Sequence, residues 1–252
     1  MHSLQGRTVV VTGGSSGIGT AIVEQALEHG ARVLFSYWRG SRRAQAMLRQ
    51  HGKQRCAAVK ADFGNPDDVA RLWKAALAWG GRIDVLVNNA ATRRAIAASA
   101  STAQWQRAWS QTLQVNLVAA AQLAREAVAH FGREGGGIVI NIASRPAFRG
   151  DRPDFFQDGA SKAGLVSLTR GIARFHASEG VLAYVVSPGM IHTPQAEEFV
   201  RHYGAEAAVA EIPLGEMGTP DDVAEVVCWL ASGRARYATG ATIDVNGASY
   251  VH

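Results

Sequence analysis

Two clusters of residues in this chain have the types and spacing to do chemistry. The first is "TGGSSGIG" at residues 12–19, in which Gly13, Gly17 and Gly19 form a G-x-x-x-G-x-G pattern. Glycines let a backbone turn approach a pyrophosphate, and a helix that starts there adds free N–H groups and a partial positive charge. Such a turn carries weight only between a strand and a helix. The second cluster is "FFQDGASKAGL" at residues 155–165, where Asp158 precedes Lys162 by one helical turn. A carboxylate and an ammonium so placed favour each other's charged forms.

The elements that must position these groups alternate along the whole chain. "RTVVVTG" (7–13) reads as a strand, and "GTAIVEQALEHG" (19–30) as a helix with Ile22, Val23, Ala26 and Leu27 on one face. "ARVLFSY" (31–37), "CAAVKAD" (56–62) and "RIDVLVNNA" (82–90) read as strands, with helices predicted over 41–52 and 65–80. Asn65 is an N-cap followed by Pro66, and Asp67 and Asp68 suit the positive end of the helix dipole. A long helical region is predicted over 104–131, then a buried strand over 136–144. A helix over 159–180, a strand over 181–189, an irregular segment over 190–217, a helix over 219–232 and a last strand over 240–247 complete the pattern. Strands with little internal polarity alternating with helices imply an α/β fold: one domain, residues 1–252, with a doubly wound parallel sheet.

With these elements in place, the chain resembles the short-chain dehydrogenase/reductase family over essentially its whole length. "TGGSSGIG" is similar to that family's cofactor turn, and "NNAA" (88–91) to its N-N-A-G. "VNL" (115–117) and "IAS" (142–144) carry Asn116 and Ser144 at the positions of a catalytic asparagine and serine. Lys162 matches the lysine of Y-x-x-x-K, but Asp158 stands where that motif begins with tyrosine. The loop between Ser144 and Asp158 is one residue longer than the common spacing. "SPGMIHT" (187–193) resembles the segment that covers the nicotinamide.

The resemblance implies a single-domain Rossmann fold, a nicotinamide cofactor, chemistry on an alcohol/carbonyl pair, and dimers or tetramers. It implies a catalytic set of Asn116, Ser144, Asp158 and Lys162. The implied cofactor contacts are Gly13, Ser15, Ser16, Gly17, Ile18 and Gly19, then Tyr37, Arg39, Asp62, Phe63, Asn89 and Ala90, and finally Lys162, Pro188, Gly189 and Thr193. It also makes 190–217 a substrate lid. After the second strand the chain reads "SYWRGSRR", with Tyr37 where NAD enzymes of this kind carry an acid. Arg39 can bind a 2′-phosphate there, so NADP(H) is favoured over NAD(H).

An aspartate is a poor replacement for the tyrosine as a general acid. Its carboxylate reaches roughly 3 Å less far from the backbone, so a water must bridge the gap. A free aspartate has a pKa of about 3.9, against about 10 for tyrosine. As a base for alcohol oxidation it is better suited, though still a weak one. Burial against Phe155 and Phe156 would change this balance, and His192 or Tyr203 are other proton sources. Three readings stay open: an active oxidoreductase, a cofactor-binding subunit with little activity, and a one-base change from an ordinary enzyme. Arg145, Arg149 and Arg152 near the site mouth suggest an anionic or acyl-carrier-type substrate, or simply a solvated basic loop.

Composition narrows the classes. The 252 residues are 47% hydrophobic and 19% charged, enough for one substantial core. The mean hydropathy is near zero. No apolar run approaches the roughly 20 residues of a membrane span. The first strand follows almost at once on the N-terminus, so no secretory signal is expected. The net charge of +5 is spread over short clusters such as Arg42-Arg43 and Arg93-Arg94, not the stripe that nucleic acid needs. Cys56 and Cys228 lie in no metal or redox spacing, which predicts reduced thiols, no metal and a cytoplasmic setting.

Overall fold

Short β-branched runs form strands here because a sheet covered on both faces has no solvent side to make polar. The computed structural model describes residues 3–251. The chain runs β1 (Thr8–Val11), α1 (Gly17–Glu28), β2 (Arg32–Tyr37), α2 (Ser41–His51), β3 (Cys56–Lys60), α3 (Pro66–Gly80) and β4 (Val85–Asn88). It continues through α4 (Thr102–Leu113), α5 (Ala119–Arg133), β5 (Gly137–Ile142), α6 (Pro146–Arg149), α7 (Phe156–His176) and β6 (Val181–Pro188). α8 (Pro194–Tyr203), α9 (Ala205–Val209), α10 (Pro220–Ala231) and β7 (Thr242–Val245) complete it.

All seven strands pair in parallel in the order β3-β2-β1-β4-β5-β6-β7. Side chains alternate between two cores. Val9 and Val11 of β1 pack in one core with Ile22 and Leu27 of α1 and Val223 and Val227 of α10. Val10 packs in the other with Leu72 of α3, Leu123 of α5 and Ile172 of α7. Each such side chain contributes about 1.5–3 kcal/mol by leaving water. The single α/β domain is therefore as the sequence pattern implies. The strand order reverses between β1 and β4, and such a switch point opens a crevice at the strands' carboxyl ends.

Helix ends follow the expected cap chemistry. The Asn65 side chain accepts from the Asp67 N–H at 3.1 Å. Thr219 and Asp222 cap each other's backbone N–H at the start of α10. Three boundaries differ from the sequence pattern. α7 starts at Phe156, not at residue 159, because Pro153 nucleates a 3₁₀ turn over Pro153–Phe155 that runs straight into it. Asp158 thus lies in the first turn of the helix, where its charge suits the dipole. At its other end α7 gives way to a 3₁₀ turn over Ala177–Glu179 before Gly180, whose φ of 80° only glycine adopts freely. The long helix over 104–131 is interrupted by a π turn over Gln114–Val118. The segment 190–217 is partly helical, as α8 and α9. Among the described residues no helix is long and apolar enough to cross a membrane.

Candidate active site

A cleft of about 1170 Å³ lies over the carboxyl ends of the strands and is lined by both chemical clusters. Its first half is the turn between β1 and α1. Thr12 anchors that turn, its Oγ1 accepting the N–H groups of Asn89 and Ala90 at 2.9 Å each. Asn89 Nδ2 returns the tie, donating to the carbonyl of Thr12 at 2.9 Å and of Gly13 at 3.3 Å. Ser36 Oγ accepts from the Gly13 N–H at 3.0 Å. The turn is thus held entirely by neutral hydrogen bonds.

The glycines are needed for closeness. Gly13 has φ 69°, and a Cβ at Gly19 would collide with the Gly13 carbonyl and stand 2.6 Å from Asn89 Nδ2. Ser16 precedes α1 without capping it through its side chain, so the first N–H groups of the helix stay open to a ligand. This is the cradle a dinucleotide pyrophosphate requires, and the residues present fit one. Gly13, Ser15, Ser16, Gly17, Ile18, Arg39, Asp62, Phe63, Asn89, Ala90, Lys162, Pro188, Gly189 and Thr193 all line the cleft. Gly19 lies behind the turn, and Tyr37, the last residue of β2, packs partly buried against the core. Trp38 lines the cleft in that place. Arg39 is exposed beside it, and its carbonyl accepts from Ser15 Oγ at 3.0 Å.

The second half is held by charge. Ser144, Asp158 and Lys162 line the cleft together, while Asn116 lies just beneath its surface, 1% exposed. Lys162 is buried, and its Nζ donates to the Ile142 carbonyl at 2.8 Å. Burial holds its ammonium below the usual lysine range, a shift that the charge of Asp158 opposes. Asp158, only 4% exposed, is bound on both oxygens. Oδ2 meets Arg93 Nη1 at 2.6 Å, and Oδ1 accepts from Asn116 Nδ2 at 3.1 Å. Arg93 also grips Asp151 with two nitrogens, at 2.6 and 3.2 Å, and lies 3.9 Å from the centre of the Phe155 ring.

The π turn explains the placement of Asn116. Its amide faces Thr92, accepting from the Thr92 N–H at 2.7 Å, and its Nδ2 is also 3.1 Å from Ser161 Oγ. Ser161 Oγ in turn donates to the Asp158 carbonyl at 2.7 Å. The asparagine therefore braces Asp158 rather than standing free in the cleft.

Phe155 and Phe156 do not wall in Asp158. Phe155 stacks on Arg93, and Phe156 is 54% exposed. His192 does not line the cleft, whereas Tyr203 does, beside Arg152. Arg93 and Asp151 are the residues that the sequence reading missed in these roles. Their signal is faint: an arginine pair one residue beyond "NNAA", and an acid inside a basic loop. Cys56 and Cys228 are buried apart, their thiols pushed up to about 11 and about 12 by desolvation, which makes them unreactive. No cluster of metal-ligating side chains occurs among the described residues.

Comparison with known proteins agrees with this geometry. The family model described as enoyl-(acyl carrier protein) reductase matches residues 13–248. A 3beta-hydroxysteroid dehydrogenase of Eggerthella lenta is 35% identical over 97% of this chain and 94% of its own. A 3-oxoacyl-(acyl-carrier-protein) reductase of Vibrio cholerae is 32% identical over 99% of both chains. The crystal structure of a dehydrogenase/reductase from Sinorhizobium meliloti superposes with a TM-score of 0.89 at 31% identity, covering 99% of this chain and 97% of that one. With a Rossmann sheet, a glycine cradle and relatives that match from end to end, the chain belongs to the short-chain dehydrogenase/reductase family.

Proposed function

We propose that this oxidoreductase is NADP(H)-dependent and acts on an alcohol/carbonyl pair, with Asp158 in place of the family's tyrosine. The observation that carries the reading is the convergence of Ser144, Asp158 and Lys162 on one cleft with the glycine cradle. The cradle and Lys162 hold the cofactor, and Arg39 takes its 2′-phosphate. When bound, the nicotinamide supplies hydride transfer at the carbinol carbon. The segment 190–217 closes over the substrate.

The chain's own residues handle the oxygen and its proton. Ser144 donates a hydrogen bond from its hydroxyl to the substrate oxygen. Asp158, already accepting from Arg93 and Asn116, is set up as an acceptor and not as a donor. It therefore takes the hydroxyl proton, through a bridging water, as an alcohol is oxidised. Arg93 offsets the negative charge that would otherwise oppose a forming alkoxide. The favoured direction is alcohol oxidation. The assembly is a homo-oligomer, a dimer or tetramer, in the cytoplasm.

A second reading is favoured by the same pair. Because both Asp158 oxygens are engaged, the carboxylate has little freedom to take up a proton. This subunit would then bind cofactor and do little chemistry, with a structural or regulatory role, in a hetero-oligomer for example. Fluorescence titration with NADPH and NADH, then an alcohol and ketone panel on wild type, Asp158→Asn and Asp158→Tyr, separates the two. The first reading expects NADPH to bind at least tenfold tighter than NADH, and wild-type oxidation that Asp158→Asn abolishes. Tight NADPH binding with turnover only in Asp158→Tyr establishes the second.

A further inference from the structure

The basic loop at the cleft mouth does not act as one unit. Arg152 pairs with Asp154 at 3.5 Å and lies over the Tyr203 ring. Arg145 and Arg149 instead converge on a single carboxylate oxygen. Glu211 Oε2 accepts from Arg149 Nη1 at 2.7 Å and lies 3.3 Å from Arg145 Nη1. Glu211 comes from the chain just beyond α9, within the segment 190–217, and its side chain is 57% exposed.

Arg145 is the unusual member. It follows Ser144 directly and lines the cleft, yet it is only 8% exposed. Its buried Nη1 has no hydrogen-bond partner among the described residues: the approach of Glu211 is close but poorly directed. A buried guanidinium N–H without an acceptor is costly, and a better-aimed acceptor recovers that cost. Burial, and then the like charge of Arg149, hold the Arg145 guanidinium below the usual arginine range.

The geometry points to a carboxylate-binding subsite formed by Arg145 and Arg149, with Glu211 as the resident carboxylate that a substrate's own carboxylate displaces. The group already seated on the pair is a carboxylate, so a substrate carboxylate replaces it like for like. Because Arg145 adjoins Ser144, the carboxylate would lie a short distance from the reacting carbon. The substrate class is thus a short hydroxy acid or oxo acid. This assignment deepens the alcohol/carbonyl reading above and rests on it for the role of Ser144.

Binding, not turnover, is the measurement that isolates the subsite. Calorimetric titration of 4-oxopentanoate, its methyl ester and 2-pentanone, with and without NADPH, gives the preference directly. The acid is expected to bind at least tenfold tighter than the ester. Arg149→Ala removes that preference, while Glu211→Gln strengthens acid binding about three- to tenfold and leaves the ester unchanged. Arg149 and Glu211 are exposed, so both variants keep the fold; Arg145→Gln is read only alongside its melting temperature. Equal binding of acid and ester overturns the subsite, as does an acid affinity that neither Arg149→Ala nor Glu211→Gln alters. Absence of saturable acid binding overturns it too. An acid preference without turnover leaves the subsite standing and sinks the catalytic reading, whereas turnover without preference does the reverse.

Discussion

The two halves of the cleft are built by different physics. The cofactor half is a turn of glycines tied by neutral hydrogen bonds among Thr12, Asn89, Ala90 and Ser36. The reacting half is a run of buried charges, with Arg93 bridging Asp151 and Asp158. Neutral ties of this kind strand no charge when one of them is lost. A buried charge network holds only while every partner is present, because each stranded ion carries the cost of its lost hydration. The difference teaches what each half depends on. The cradle depends on shape, whereas the charged end depends on Arg93 balancing Asp151 and Asp158.

The sharpest way to break the comparison is Arg93→Ala. It strands two nearly buried carboxylates, Asp151 and Asp158, and is expected to cost about 3 kcal/mol of unfolding free energy in urea. Adding Asp158→Asn should recover a large part of that loss. Were the single variant as stable as wild type, the charged half would be decoration and the contrast would fail.

Next comes Gly19→Ala in the neutral half. The added methyl meets the Gly13 carbonyl, so a stability loss of about 2 kcal/mol is expected, together with at least tenfold weaker NADPH binding. Unchanged binding would mean that the turn adapts, and that the cradle is no more rigid than the charged half.

A smaller effect is expected at Arg39. Arg39→Ala should narrow the preference for NADPH over NADH by about tenfold, or roughly 1.4 kcal/mol, without touching stability. Equal affinities in wild type would remove the basis of that prediction.

The smallest effect is a pH slope at Lys162, which touches both halves. Its lowered value means that the folded state binds fewer protons than the unfolded state from that value up to about 10.4. The penalty is present below the window, and stability rises with pH across it, by less than about 1.4 kcal/mol per pH unit. Cys56 and Cys228, with raised values, slope the other way above about 8.5. The check is therefore the difference between melts of wild type and Lys162→Met from pH 7 to 10. A difference that does not change with pH would mean that Lys162 carries no burial penalty.

What could be read from sequence follows the same division. The cradle is local: "TGGSSGIG" lies between a strand and a helix, and its glycines announce a close backbone approach. Asp158 and Lys162 are legible as neighbours because helical spacing is fixed. Arg93 is not, since its two acids lie 58 and 65 residues away and only the folded chain brings them together. Arg145, Arg149 and Arg152 were visible as a basic loop, but their separation into a convergent pair and an outlier depends on Glu211, 62 residues beyond Arg149. The same limit hid the π turn, whose apolar spacing reads as one continuous helix.

That π turn has a consequence for chain length. A π turn accommodates one residue more than an α-helix needs in the same stretch. Removing one residue between Gln114 and Val118 would let α4 run into α5 as a regular helix with the faces on either side kept, and only the residues of the turn itself, Asn116 among them, would be re-aimed. The sheet and both cores would survive such a deletion while the amide that braces Asp158 turned away. In this stretch, the number of residues is as much a part of the active site as their identity.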